Sequence, residues 1–130
     1  MLTVQQLAAV APEKLLRFFT SELGDFVRRA PKVVREFKFS ILEDAAIYDA
    51  SLAGEKVLLQ GVTDCCVLEP DGLTILDFKS DHIKSGEEAR RAEIYRGQLD
   101  AYARALSRIF ELPVKRRILY FFATDTAFSV

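Results

Sequence analysis

Two acids and one amine near the middle of the chain have the types and spacing for phosphate chemistry. In the run Ile75 to Ser80, read I-L-D-F-K-S, Asp77 and Lys79 stand two positions apart after a stretch of strand-forming apolar residues. Side chains alternate between the faces of a strand, so these two would project from one face, about 6–7 Å apart along its axis. A carboxylate can hold a divalent cation through hard oxygens, and an amine beside it can hold an anion. A second acid, Asp64, ends the segment Leu58 to Asp64, read L-L-Q-G-V-T-D. Two acids at the ends of adjoining strands can share a metal ion. An ordinary ion pair accounts for Asp77 and Lys79 alone equally well; Asp64 is the residue that such a pair does not require.

Three further groups could join this set. Glu36 falls on the polar side of an earlier strand pattern, where an exposed face is the plain reading. Gln98 and Tyr102 are four apart on a long helical pattern and share one face, with Tyr95 a turn earlier. An amide and a phenol projecting together can hold a phosphate, a base or a catalytic lysine, although core packing with a bonded tip serves as well.

The elements that must position these residues follow from periodicity. Pro12 suits a first helical turn, and Leu15, Leu16, Phe19, Leu23, Phe26 and Val27 recur at helical spacing, predicting one helix over 12–29. Residues 1–11 read as a short helical turn opened by Thr3. From Val33 to Leu42 the pattern alternates, with Val33, Phe37, Phe39 and Ile41 on one side and Glu36, Lys38 and Ser40 on the other. A connection over 44–54 leads to a strand at about 56–68. Pro70-Asp71-Gly72 then signals a tight turn into a strand at 73–79. A helix over 87–110 carries Ile94, Leu99, Ala103, Leu106 and Phe110 on its apolar side and stops before Pro113, and a strand spans 118–123. The order defines an α/β fold with a small mixed sheet.

With 130 residues, half of them hydrophobic and ten of them Phe, the chain is long enough for one domain with a real core. A formal net charge of -1 gives no global sign of a nucleic-acid binder, so such a partner must be held by local basic clusters or by metal ions. Clusters occur at Arg28, Arg29, Lys32 and Arg35, at Arg90, Arg91 and Arg96, and at Lys115, Arg116 and Arg117, each of which a solvated face also explains. Cys65 and Cys66 are neighbours on a strand and point opposite ways, which suits small strand residues in a reducing compartment. No apolar run approaches the length of a membrane span and no signal-peptide pattern opens the chain, so a soluble, cytoplasmic protein is expected.

Taken together and in order, G-V-T-D at Gly61 to Asp64, D-F-K-S at Asp77 to Ser80, and Q-L-D-A-Y at Gln98 to Tyr102 resemble one family. It is the RecB-like branch of the PD-(D/E)XK nuclease superfamily. Within that branch the chain is most similar to the C-terminal nuclease domain of the A subunit of AddAB-type helicase–nucleases. Glu36 to Phe39 matches that family's E-x-x-F strand, and the resemblance covers about residues 33–123. It implies a restriction-endonuclease-like core of helix, three strands, helix and strand. It also implies Mg²⁺- or Mn²⁺-dependent DNA phosphodiester hydrolysis. Asp64, Asp77 and the carbonyl of Phe78 would hold the metal, and Lys79 would orient water or stabilise the scissile phosphate. Gln98 and Tyr102 would position Lys79 and the backbone, with Glu36 as an auxiliary, water-mediated contact.

The same resemblance implies exonuclease processing of DNA ends in recombinational double-strand-break repair, beside parent helicase domains and a second nuclease subunit. One departure stands out. The family's upstream metal-binding His has no counterpart, because the one histidine, His82, follows D-F-K-S-D and reads as a loop residue. Residues 1–130 are therefore expected to be a single nuclease domain excised from a larger helicase–nuclease. The missing His also motivates an alternative: a nuclease-like module that holds DNA or a partner without cutting. A free-standing exonuclease is a third reading.

Overall fold

The structure, a computed structural model, describes residues 10–130. The turn expected over residues 1–11 falls almost entirely outside them. Helices α1 (Pro12–Thr20) and α2 (Glu22–Arg29) precede strand β1 (Lys32–Asp44), two short 3₁₀ turns, β2 (Lys56–Glu69) and β3 (Gly72–Lys79). The long helix α3 (Glu88–Phe110), β4 (Val114–Phe121) and β5 (Thr126–Ser129) follow. The sheet order is β1-β2-β3-β4-β5. β3 and β4 run parallel, while β1–β2, β2–β3 and β4–β5 are antiparallel. The architecture is the expected α/β fold with a mixed sheet.

The helix expected over 12–29 is in fact two, because Ser21 takes an extended conformation (φ -75°, ψ 166°). Its hydroxyl donates to the Phe18 carbonyl at 2.6 Å and accepts from the Gly24 amide at 3.1 Å. One side chain thus closes α1 and caps α2. Gly24 permits the tight corner, since a Cβ there would lie 2.1 Å from the Phe18 carbonyl oxygen. The strand expected at 118–123 instead starts at Val114, and β5 has no counterpart in the sequence pattern. The charged start of β4 does not look like a strand in sequence, yet Lys115 is held by Glu69 and Asp71, and Arg117 by Asp100.

The two faces of the sheet are covered differently. On one, Phe18 of α1 and Val27 of α2 pack with Cys65, Val67, Leu76 and Tyr120. On the other, Ala105 and Leu106 of α3 pack with Cys66, Leu73 and Ile75, and Leu99 with Leu119 and Phe121. Burying each such aliphatic side chain contributes about 1.5–3 kcal/mol. Cys65 and Cys66 are free and lie in opposite clusters, as alternation requires. Ile94 does not join the core; it is 67% exposed, because the apolar face of α3 turns away from it.

Strand β1 does not keep a single alternation along its length. Val33 packs on the α1–α2 side, whereas Phe37, Phe39 and Ile41 pack on the α3 side. The alternation changes face across Glu36, a non-glycine residue at φ 48°. Beyond it, Glu43 accepts from Tyr48 at 2.7 Å and from Arg104 Nε at 3.1 Å, fastening the far end of the β1–β2 hairpin to α3. Among the described residues no helix is long and apolar enough to cross a membrane.

Ser21→Ala is expected to destabilise the fold by about 1 kcal/mol, read from the urea midpoint. A continuous helix through this position would give the opposite sign, because alanine has the higher helix propensity.

Candidate active site

The β2–β3 ladder ends at the pair Cys65–Leu76. One step further, a side chain replaces the backbone: Asp64 Oδ2 accepts the Phe78 amide at 2.8 Å. The strands fork there, with β2 continuing along β1 and β3 along β4. Asp64 is thereby held at the crotch of the fork, 7% exposed, with Asp77 beside it at 4%. Burial and the neighbouring Asp77 carboxyl push the pKa of Asp64 up to about 7, against the pull of the Phe78 amide.

Asp77 and Lys79 do project from one face, and Lys79 Nζ lies 2.6 Å from Asp77 Oδ2. The ion pair anticipated as the plain reading therefore exists. It does not account for the whole site, since two buried carboxyls face one ammonium. Asp77 Oδ1 is moreover buried without a hydrogen-bond partner among the described residues. Phe78, between them, points the other way, its ring stacked on Phe122 and edge-on to Phe18. That apolar anchor sets the direction in which Asp77 and Lys79 face.

Gln98 and Tyr102 bond to each other, the Gln98 amide donating to the Tyr102 hydroxyl at 3.3 Å. The Tyr102 ring packs edge-on to Phe39, over Gly61. A Cβ on Gly61 would come within 2.7 Å of both rings, which explains the glycine of G-V-T-D. The aromatic face against Lys79 belongs instead to Tyr95, one turn earlier, with its ring centroid 4.0 Å from Nζ. The Tyr95 hydroxyl donates to Asp81 at 2.7 Å, and burial followed by this bond pushes its pKa up to about 12. In sequence Tyr95 is visible only as a neighbour of the Gln98–Tyr102 pair; its contact depends on the distance between β3 and α3.

Glu36 is exposed and lies between the pairs Arg35–Cys65 and Phe37–Thr63, and so opposite Asp64. Both acids border a groove of about 410 Å³ that Phe18, Phe19, Arg28 and Arg35 also line. His82 is exposed in the loop after β3. Several basic clusters are satisfied internally: Arg28 and Arg29 pair with Asp25, Arg91 with Asp81 and Arg96 with Glu93. No group of three or more His, Cys, Asp and Glu gathers as a closed metal cage among the described residues. The donor set at the fork nevertheless fits Mg²⁺ or Mn²⁺. It offers hard carboxylate oxygens, one of them without a partner, and Mg²⁺ takes one or two carboxylates and keeps several waters.

A forked mixed sheet with two acids and a lysine at the fork defines a nuclease-type fold, and the profile of the PD-(D/E)XK nuclease superfamily matches residues 3–128. The chain belongs to that superfamily. More particularly, it is similar to proteins named as the A subunit of an ATP-dependent helicase/nuclease. That of Desulforamulus reducens is 43% identical over 121 residues, covering 91% of this chain and 10% of the relative. That of Desulforudis audaxviator is 40% identical over 129 residues, covering 97% and 10%. That of Bacillus cereus strain AH820 is 40% identical over 132 residues, covering 94% and 11%. The chain thus spans about a tenth of the length of these curated relatives.

The raised pKa of Asp64 makes stability depend on pH. Between the usual carboxylate value of 3.8 and about 7, the unfolded chain has lost this proton while the folded chain keeps it. Unfolding therefore becomes steadily easier as pH rises through that window, and the penalty is complete above it. In the metal-free protein, Tm is expected to fall from about pH 5 to about pH 8, and Asp64→Asn to flatten the decline. A wild-type Tm that rises across that window would contradict the burial of two carboxyls side by side.

Proposed function

We propose that this chain is the nuclease module of a larger helicase–nuclease polypeptide and hydrolyses DNA phosphodiesters with Mg²⁺ or Mn²⁺. The observation that carries the reading is the buried Asp64–Asp77 pair, with Asp77 Oδ1 left without a partner beside the Lys79 ammonium. One hydrogen bond to the Phe78 amide does not by itself offset the burial of a second acid against an ion pair. A cation accounts for its presence, because it supplies the charge that the second carboxylate lacks. Asp64, Asp77 and the Phe78 carbonyl would hold that ion, which when bound supplies Lewis-acid activation of water and charge neutralisation at phosphorus. Asp64 must release its proton to serve, and Phe78's amide keeps its carboxylate aimed at the fork.

Lys79 would orient the attacking water or offset charge growing on the scissile phosphate. Gln98 and Tyr102, paired on α3, would contact the DNA backbone at the rim, and Glu36, across from Asp64, would reach the ion through water. The names of the relatives support a place beside helicase domains. Trimming of DNA ends for recombinational double-strand-break repair, as an exonuclease with a second nuclease subunit, fits that setting and a cytoplasmic location.

Asp77→Ala and Lys79→Ala, each made in the complete polypeptide, are expected to lower Mg²⁺-dependent cleavage of single-stranded DNA by a factor on the order of 10²–10³. Undiminished cleavage in both would sink the assignment. Calorimetric titration with Mn²⁺ separates the non-cutting alternative: binding that Asp64→Ala leaves unchanged would favour a module that only holds DNA or a partner.

A further inference from the structure

Lys79 is an ammonium in a poor place for one. It is 7% exposed, and a buried charge is costly unless compensated. Asp77 supplies one contact, but the resulting pair is neutral, and Asp77 is also the carboxylate whose other oxygen lacks a partner. The second contact is the face of Tyr95, which attracts a cation through its quadrupole while adding no formal charge.

Tyr95 is in turn fixed at its tip. Its hydroxyl donates to Asp81, which lies two residues after Lys79 in the chain, and Arg91 Nη1 stands 3.5 Å from the same carboxylate oxygen. Tyr95 and Arg91 are four apart on α3, so one helix holds Asp81, just past the end of β3, by the same carboxylate oxygen. The ring is clamped over the amine by the segment that carries the amine.

We infer that Tyr95 is the positioning residue for Lys79. Its ring holds the amine by a cation–π contact and Asp81 locks the ring, so that Nζ of Lys79 is held in place toward the scissile phosphate. An ammonium has three donors. One meets Asp77 and one the ring, which leaves one for the substrate. This assignment rests on the nuclease reading given above and extends it to a residue outside the D-F-K and Q-x-x-x-Y patterns.

The test replaces Tyr95 in the complete polypeptide by phenylalanine and then by mono-, di- and trifluorophenylalanine, a series that drains the ring face while keeping its shape. The expected result is a stepwise fall in kcat for single-stranded DNA, on the order of tenfold across the series, with KM unchanged. Tyr95→Phe, which frees the tip of the ring, is expected to lower kcat a few-fold, and Asp81→Asn to match it. A readout free of activity is the ε-methylene proton shift of Lys79 in the metal-free chain labelled with ¹³C-lysine. It is expected to be displaced upfield by the ring and to return toward the ordinary lysine value in Tyr95→Leu.

A flat kcat across the fluorinated series, or a Lys79 shift that ignores Tyr95→Leu, would overturn the positioning role while leaving the nuclease reading intact, provided Lys79→Ala is inactive. Full cleavage by Lys79→Ala alone would overturn the positioning role, and full cleavage by Asp77→Ala as well would overturn both.

Discussion

The site depends on a single exchange of partners at the fork of the sheet. Where the β2–β3 ladder stops after Cys65–Leu76, the Phe78 amide would be left without an acceptor, and the Asp64 carboxylate takes the place of the missing backbone carbonyl. That bond holds β3 to β2 at the point of separation and keeps an acid buried where burial is unfavourable. Asp77 is then forced close to Asp64, and burial, with the neighbouring carboxyl adding to it, raises the pKa of Asp64. The surrounding structure over-determines this arrangement. Phe78 is wedged among Phe18, Tyr120 and Phe122, so β3 cannot rotate to relieve it.

Strain on the neighbouring strand lies at the same level. Glu36 adopts φ 48° directly across from Asp64, and β1 exchanges its inward and outward faces there. Non-glycine residues in this region cost of order 1–3 kcal/mol and cluster at functional sites. The switch lets one strand serve two cores: Val33 packs under α1 and α2, and Phe37, Phe39 and Ile41 pack under α3. A regular strand through Glu36 would expose one of these sets. The sheet is thus irregular beside the fork at Glu36, and the β3–β4 pairing shifts register between Leu73 and Thr74, at the end away from the site.

Much of the architecture is legible from periodicity. The α3 helix, the Pro70–Asp71 turn and the strands that flank it follow from local patterns that tertiary contacts only reinforce. The rest is decided by contacts at a distance. Ser21 breaks a helical pattern because its hydroxyl serves two backbone groups at once, Phe18 and Gly24. The Lys115 to Arg117 run becomes strand because acids on the β2–β3 turn and on α3 meet its charges. Strand β5 is four residues long, too short for alternation to register, and forms by pairing with β4.

For the site, residue types and spacing alone determined that Asp77 and Lys79 share a face, that Phe78 opposes them, and that Asp64 lies on a neighbouring strand, although β2 runs on past it to Glu69. These are consequences of the two-residue period of a strand, which needs no partner to be true. Only the tertiary structure decided that the two acids meet, that one of them accepts a backbone amide, and that Tyr95, with its tip on Asp81, faces the lysine. Those facts depend on where the sheet forks and how close α3 lies to it. Both are set by packing between segments far apart in the chain, and no local period encodes them.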